Sequence, residues 1–261
     1  MKKLTFTILA VCISLAVSAQ YSSLNAHSHN DYEQKTPFRL AYDARFGSIE
    51  ADIWAVDGEL FVAHNRSQIT PERTLESLYL RPIVTLFQAN GGKVWKEGEA
   101  SFQLLIDLKT EAEPTLQLLV AQLKKYPGVF DPRVNKQAVC VTVTGNRPSP
   151  GNFKNYPDFI HFDGNIDKKY NESELKRVAL YSENLRTLTS WDGKADIPAK
   201  EKQRLRQVID SVHGIHKKIR FWNAPDQPQA WKTLINLRVD YINTDHIREL
   251  ADYLKAEKNS R

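Results

Sequence analysis

Ile49-Glu50-Ala51-Asp52-Ile53-Trp54-Ala55-Val56-Asp57-Gly58-Glu59-Leu60-Phe61-Val62-Ala63-His64 is the stretch whose reading decides the fold. Its centre, Asp57-Gly58, is a turn signal between two strand-like runs and predicts a β-hairpin. Alternate residues of a strand share a face, so Glu50 and Asp52 point one way while Ile49, Ala51 and Ile53 point the other. On a solvated strand an E-x-D pair means little, but an otherwise apolar strand leaves that face poorly solvated. Two carboxylates there repel each other, and a hard cation such as Mg²⁺ or Ca²⁺, which takes oxygen ligands, removes the repulsion. The return strand Leu60–Ala63 then brings His64 back beside them.

Leu104-Leu105-Ile106-Asp107-Leu108-Lys109 repeats the pattern. Leu104, Ile106 and Leu108 share the face expected under helices, and Asp107 and Lys109 share the other. Beside Glu50 and Asp52, Asp107 completes a three-carboxylate site, and Lys109 can oppose a phosphate as a point charge. A third segment, Asn25-Ala26-His27-Ser28-His29-Asn30-Asp31, carries two histidines two residues apart. A single histidine after a strand is usually a core residue; the pair beside Asn30 predicts that one of them faces the cation site.

Outward from these islands, short apolar runs alternate with helical spacing. Residues 49–55, 104–108, 138–143, 159–162, 218–222 and 241–243 read as strands, and 114–126, 199–213, 227–236 and 247–255 as helices. This alternation predicts a parallel sheet, open or closed. Polar residues gather at the C-terminal ends of several runs, as the top face of a barrel requires. Residues 66–99 and 147–196 are expected to be irregular loops with short helices. With no linker and no fixed-period repeat, residues 20–261 are expected to form a single domain.

Met1-Lys2-Lys3, the apolar run Leu4–Val17 and Val17-Ser18-Ala19 before Gln20 have the layout of a secretory signal peptide, residues 1–19. The run is too short and too interrupted for a membrane span. Export to the periplasm or the cell exterior is therefore expected. Removing that segment takes Lys2, Lys3 and Cys12, lowering the formal net charge from +5 to +3 and leaving Cys140 without a disulfide partner. The pI of about 9.0 does not imply nucleic acid, because acidic residues are interspersed and basic clusters such as Lys217-Lys218 are short. A mild positive excess favours anionic substrates.

The order H-x-H-N, E-x-D, D-G-x-L-x-V-x-H, D-L-K, R-F-W and N-T-D, from His27 to Asp245, resembles the phosphatidylinositol-phospholipase-C-like phosphodiesterases. These include glycerophosphodiester phosphodiesterases and sphingomyelinase D enzymes. The first island departs from the H-R-G of glycerophosphodiesterases, and His64-Asn65 departs from their H-D. Residues 26–32 with Arg220-Phe221-Trp222 look closer to a branch that includes the fungal "altered inheritance of mitochondria" proteins. The resemblance implies an α/β fold of the TIM-type (β/α)8 kind, with one Mg²⁺ or Ca²⁺ held by Glu50, Asp52 and Asp107. It implies His27 and His64 as acid and base, Lys109 on the phosphate and Trp222 bordering the pocket.

The expected activity is hydrolysis of a glycerophosphodiester or phospholipid-type substrate, a small-molecule or lipid phosphodiester, with transient contact to a membrane surface. His29 and Asn30 are expected to orient substrate, and Arg220 to reach the phosphate if it faces the barrel interior. Two other readings remain. A zinc amidohydrolase would use His27 and His29 with His161 and Asp245, but leaves the hairpin, His64 and Lys109 without a role. A barrel that binds a phosphorylated glycan or lipid without cleaving it leaves the histidine pair unexplained.

Overall fold

The computed structural model describes residues 21–98 and 100–259. The expected signal peptide lies outside the described residues. Among the described residues nine strands form one sheet: β1 (Ala26–Ser28), β2 (Ser48–Val56), β3 (Glu59–Val62), β4 (Gln103–Leu108), β5 (Cys140–Gly145), β6 (Ile160–Gly164), β7 (Val178–Asn184), β8 (Lys218–Trp222) and β9 (Ile242–Thr244). All except β3 run parallel, in the order β8-β7-β6-β5-β4-β2-β1-β9. A parallel bridge between Arg220 and Tyr241 draws the two ends together, giving a nearly closed eight-stranded parallel barrel of the TIM type. β3 stands apart, folded back antiparallel on β2.

The two faces of each strand separate as their alternation predicts. Ile49, Ala51 and Ile53 of β2 and Leu104, Ile106 and Leu108 of β4 are buried in the main core. That core is completed from outside the sheet by Leu116 and Leu119 of α-helix Ala112–Leu123, Leu205 and Ile209 of Ala199–Gly214, Trp231 of Pro228–Asn236 and Leu250 of Ile247–Asn259. The barrel interior is less apolar, its hydrophobic content being the small cluster Leu105, Leu180 and Tyr241. Polar side chains fill the rest in a hydrogen-bonded chain. Thr142 donates to Gln103 Oε1 at 3.1 Å, Gln103 Nε2 donates to Ser48 Oγ at 2.8 Å, and Ser48 Oγ lies 2.8 Å from His27 Nδ1.

Two regions are more regular than expected. Within residues 66–99, a π turn over Glu76–Leu80 runs directly into α-helix Arg81–Ala89. Pro82, a residue type that usually breaks helices, sits at the junction where the π turn passes into the α segment. Within residues 147–196 lies the whole of β7, whose Ser182-Glu183-Asn184 end obscures the apolar pattern of Val178, Leu180 and Tyr181. Among the described residues no helix is long and apolar enough to cross a membrane.

Candidate active site

The β2–β3 hairpin places the first groups. Asp57 and Gly58 both have positive φ, 49° and 81°, as the two-residue turn between twisted strands requires. Ile53 pairs with Val62, and Ala63 N donates to Asp52 O at 3.3 Å. The next side chain, His64, consequently lies over the Asp52 carboxylate, Nδ1 to Oδ2 3.4 Å. On the other side of β2, Asp52 is the register partner of Asp107 on β4. One oxygen each from Glu50, Asp52 and Asp107 lies within 4.8 Å of the others.

Charge compensation in this cluster is close. Lys109 Nζ is 2.9 Å from Asp52 Oδ2 and 2.7 Å from Asp107 Oδ2. Burial opposes the lysine charge, but the Asp52 and Asp107 carboxylates outweigh it and hold its pKa above the ordinary value. Asp52 is pushed up to about 6 by burial and then by repulsion from Glu50 and Asp107. Burial works the same way on Glu50, but Arg220 and His27 prevail and hold it well below the ordinary carboxylate range. An all-oxygen donor set with mutual repulsion fits a hard divalent cation and is a poor set for a soft one.

Arg220 faces the barrel interior. Its Nη1 is 2.7 Å from Glu50 Oε2 and 3.3 Å from Asn243 Oδ1, it touches His27 Nε2, and its Nε donates to Ser182 Oγ at 3.1 Å. His27 is fully buried, with Nδ1 on Ser48 and Nε2 2.9 Å from Glu50 Oε2. Burial, with Arg220 beside it, pushes its pKa down to about 3.

A cavity of about 460 Å³ opens above this cluster, at the C-terminal ends of the strands. It is walled by Glu50, Asp52, Asp107, His64, Lys109, Arg220, His29, Asn30 and Trp222, with Arg147 and Asp163 completing the wall on the side of β5 and β6. Trp222 is 40% exposed at the mouth. His29 Nδ1 is 2.9 Å from Asp245 Oδ1; burial lowers its pKa, but Asp245 and Glu50 outweigh that and raise it.

The expected residues therefore come together, with one correction. His27 does not wall the cavity; it lies beneath, covered by Glu50 and Arg220, because β1 is only three residues long and its middle side chain points into the barrel. The zinc-ligand pairing of His27 with His29 has no geometric support. His27 Nδ1 and Nε2 both have barrel partners, His29 is paired with Asp245, and His161 is 4.0 Å from Cys140. Arg147, Asp163 and Tyr32 are among the site residues that carry no clear mark in the sequence. Asp163 ends the strand-like run before Gly164 and accepts from Thr144 Oγ1 at 2.9 Å. Tyr32, the last residue of the first island, places its hydroxyl 2.6 Å from Asp52 Oδ2; an aromatic six residues from the strand start carries no sign of such reach.

A parallel barrel bearing a carboxylate triad, a lysine and histidines at its C-terminal face defines the phosphatidylinositol-phospholipase-C-like phosphodiesterase class. Within that class, the chain belongs to the family described as the AIM6-like phosphodiesterase domain, whose model matches residues 16–156. Residues 218–247 also match the glycerophosphoryl diester phosphodiesterase family. Similar curated proteins are named "Altered inheritance of mitochondria protein 6". The one from Eremothecium gossypii is 27% identical over 87% of this chain and 68% of its own length. The one from Kluyveromyces lactis is 24% identical over 88% and 72%. Among solved structures, a glycerophosphodiester phosphodiesterase from Parabacteroides distasonis has the same fold at 14% identity, with a TM-score of 0.53 over 90% of this chain and 98% of that one.

Proposed function

We propose that this chain is a divalent-cation-dependent phosphodiester hydrolase that uses His64 and His27 for proton transfer. The observation that carries the proposal is the convergence of Glu50, Asp52, Asp107, Lys109, Arg220 and His64 on one cavity. Anionic oxygens for a cation and cationic groups for a phosphate stand within one small volume, as phosphoryl chemistry needs. A bound Mg²⁺ or Ca²⁺ would polarise a non-bridging phosphate oxygen.

The chain's own residues do the rest. Lys109 and Arg220 offset the remaining phosphate charge and fix its position. His64, half exposed on the cavity wall, exchanges a proton with the attacking or leaving oxygen, a task suited to an imidazole near neutral pH. His27 sits under Arg220 and Glu50; when the guanidinium turns to the phosphate and the Glu50 carboxylate turns toward the cavity, His27 Nε2 is uncovered for the second proton transfer. The substrate alcohols in the cavity are small and polar, because among the described residues Trp222 is the one apolar side chain that lines it. The acyl chains of a phospholipid-type substrate would remain outside, at the rim. His29 and Asn30 meet the substrate at that rim. Export with removal of residues 1–19 is part of the same proposal, and mass measurement of the mature N-terminus tests it.

The deciding experiment is turnover of a phosphodiester panel with added Mg²⁺ or Ca²⁺ and with chelator, with products identified by mass spectrometry. Cation-dependent release of a phosphomonoester or a cyclic phosphate is expected. No turnover, together with saturable binding of a phosphodiester, would replace this reading with that of a binding barrel.

A further inference from the structure

Tyr32 lies against three groups of the candidate site and is 1% exposed. Its hydroxyl oxygen is 2.6 Å from Asp52 Oδ2, 2.8 Å from Asn30 Oδ1 and 3.1 Å from His64 Nδ1. A phenol carries one proton, while a carboxylate and an amide oxygen only accept. The Asn30 amide is oriented from its other end, where Nδ2 donates to Asp245 Oδ1 at 3.3 Å and leaves the oxygen facing Tyr32. Asn30 itself is held in the left-handed region, φ 46°, a conformation asparagine tolerates better than most residues.

If His64 Nδ1 were also bare, three acceptors would surround one hydrogen in a buried corner. The mismatch is reduced when Nδ1 carries a proton and donates it to the phenol oxygen, while the phenol shares its one hydrogen between Asp52, the nearer acceptor, and Asn30. Asp52 alone is a weaker partner for that N–H, at 3.4 Å against an ordinary N–H···O limit near 3.2 Å. Once Nδ1 is protonated in a neutral ring, Nε2 holds the lone pair.

We propose that Tyr32 is a positioning residue that fixes His64 in the Nδ1–H tautomer and turns its Nε2 lone pair away from Asp52, toward a bound substrate. The consequence for turnover rests on the phosphodiesterase reading; the tautomer does not. Tyr32 thus serves a histidine 32 residues away in sequence, linking the first island to the hairpin.

The test uses the full-length mature protein labelled with ¹⁵N-histidine, at a pH where the His64 ring is neutral, with the His64 signal assigned by its loss in His64→Gln. The parent is expected to show a protonated Nδ1 and a bare Nε2. Tyr32→Phe, which keeps the packed ring, should give a mixture of tautomers. It should also lower kcat about tenfold with KM within about twofold, less than the 10²- to 10⁴-fold typical of losing a general acid or base outright. Tyr79→Phe removes another buried hydroxyl, one that donates to Asp31 at 2.9 Å, and should leave the His64 pattern unchanged. A proton on Nε2 in the parent overturns the proposal, and that measurement decides even if Tyr32→Phe does not fold. So does a Tyr32→Phe spectrum identical to the parent's. If the tautomer behaves as expected but no phosphodiester is cleaved, Tyr32 keeps its role and the phosphodiesterase reading fails.

Discussion

Asp52 and Asp107 stand opposite each other on adjacent parallel strands, with one Lys109 ammonium between them at 2.9 and 2.7 Å. A single lysine does not neutralise two carboxylates that also face Glu50, and Asp52 accordingly has its pKa pushed up to about 6, by burial and then by its acidic neighbours. Removing one charge should weaken cation binding. Asp52→Asn is expected to raise the Kd for Mg²⁺ or Ca²⁺ at least about tenfold, roughly 1.4 kcal/mol, by calorimetry. Glu172→Gln, an exposed carboxylate paired with Lys176, serves as control; equal effects in the two variants would remove Asp52 from the site.

Gly145 closes β5 with φ +69°, and a Cβ there would collide with Asp107 Oδ1 and come within 2.7 Å of Leu108 O. The residue must be glycine for two reasons, the left-handed backbone and the close approach of the carboxylate. Gly145→Ala should cost about 1–3 kcal/mol of stability and displace Asp107, so cation affinity falls with it. Gly151→Ala, with nothing near its added methyl, should change neither. Calorimetric binding and urea unfolding on the two variants check this, and unchanged affinity in Gly145→Ala would separate Asp107 from the cation.

Asp31 offers a pH test outside the cation cluster. It is fully buried, accepts from Ser28 Oγ at 2.8 Å, Phe38 N at 2.5 Å and Tyr79 OH at 2.9 Å, and has its pKa pushed up to about 6 by burial against those donors. A carboxyl whose folded pKa lies above its unfolded value of about 3.9 holds its proton more tightly when folded. Its contribution to stability is complete below about pH 4, declines as pH rises and is lost above about pH 6. Over that window the difference in unfolding free energy between the parent and Asp31→Asn should fall by about 1–3 kcal/mol. A difference independent of pH would show that Asp31 is ionised throughout.

How far the fold and site are legible in the sequence can be seen from these residues. The hairpin was readable because Asp57-Gly58 fixes its turn, and a period of two then assigns Glu50 and Asp52 to one face. Lys109 followed from the same count. His27 illustrates the limit. Its position in the chain points to the top of a strand, but β1 is three residues long, and whether the middle side chain rises into the cavity or lies beneath Arg220 depends on β8, 193 residues away. Tyr32 and Asp163 reach the site through a turn and a bulged strand pair, neither of which has a periodic signature. The helix across Pro82 and the strand ending in Ser182-Glu183-Asn184 were hidden by residues that usually mark breaks.

The burial difference between His27 and His64 separates their expected losses. His64 is half exposed on the cavity wall, so His64→Ala should fold with nearly the parent stability, bind the cation almost as tightly and lower kcat about 10²- to 10⁴-fold, the usual loss for a general acid or base. His27 is enclosed by Ser48, Glu50 and Arg220. Truncating it opens a cavity beside a buried ion pair, so His27→Ala should lose activity comparably but also cost about 1–3 kcal/mol of stability. His27→Gln, closer in volume and able to hydrogen-bond, should recover much of the stability without recovering turnover. His29→Ala, at the rim beside Asp245, should raise KM more than it lowers kcat. Steady-state kinetics and urea unfolding across the four variants read all of these. If His27→Gln turns over as fast as the parent, His27 supports the barrel interior and transfers no proton, and the second proton must come from elsewhere in the cavity.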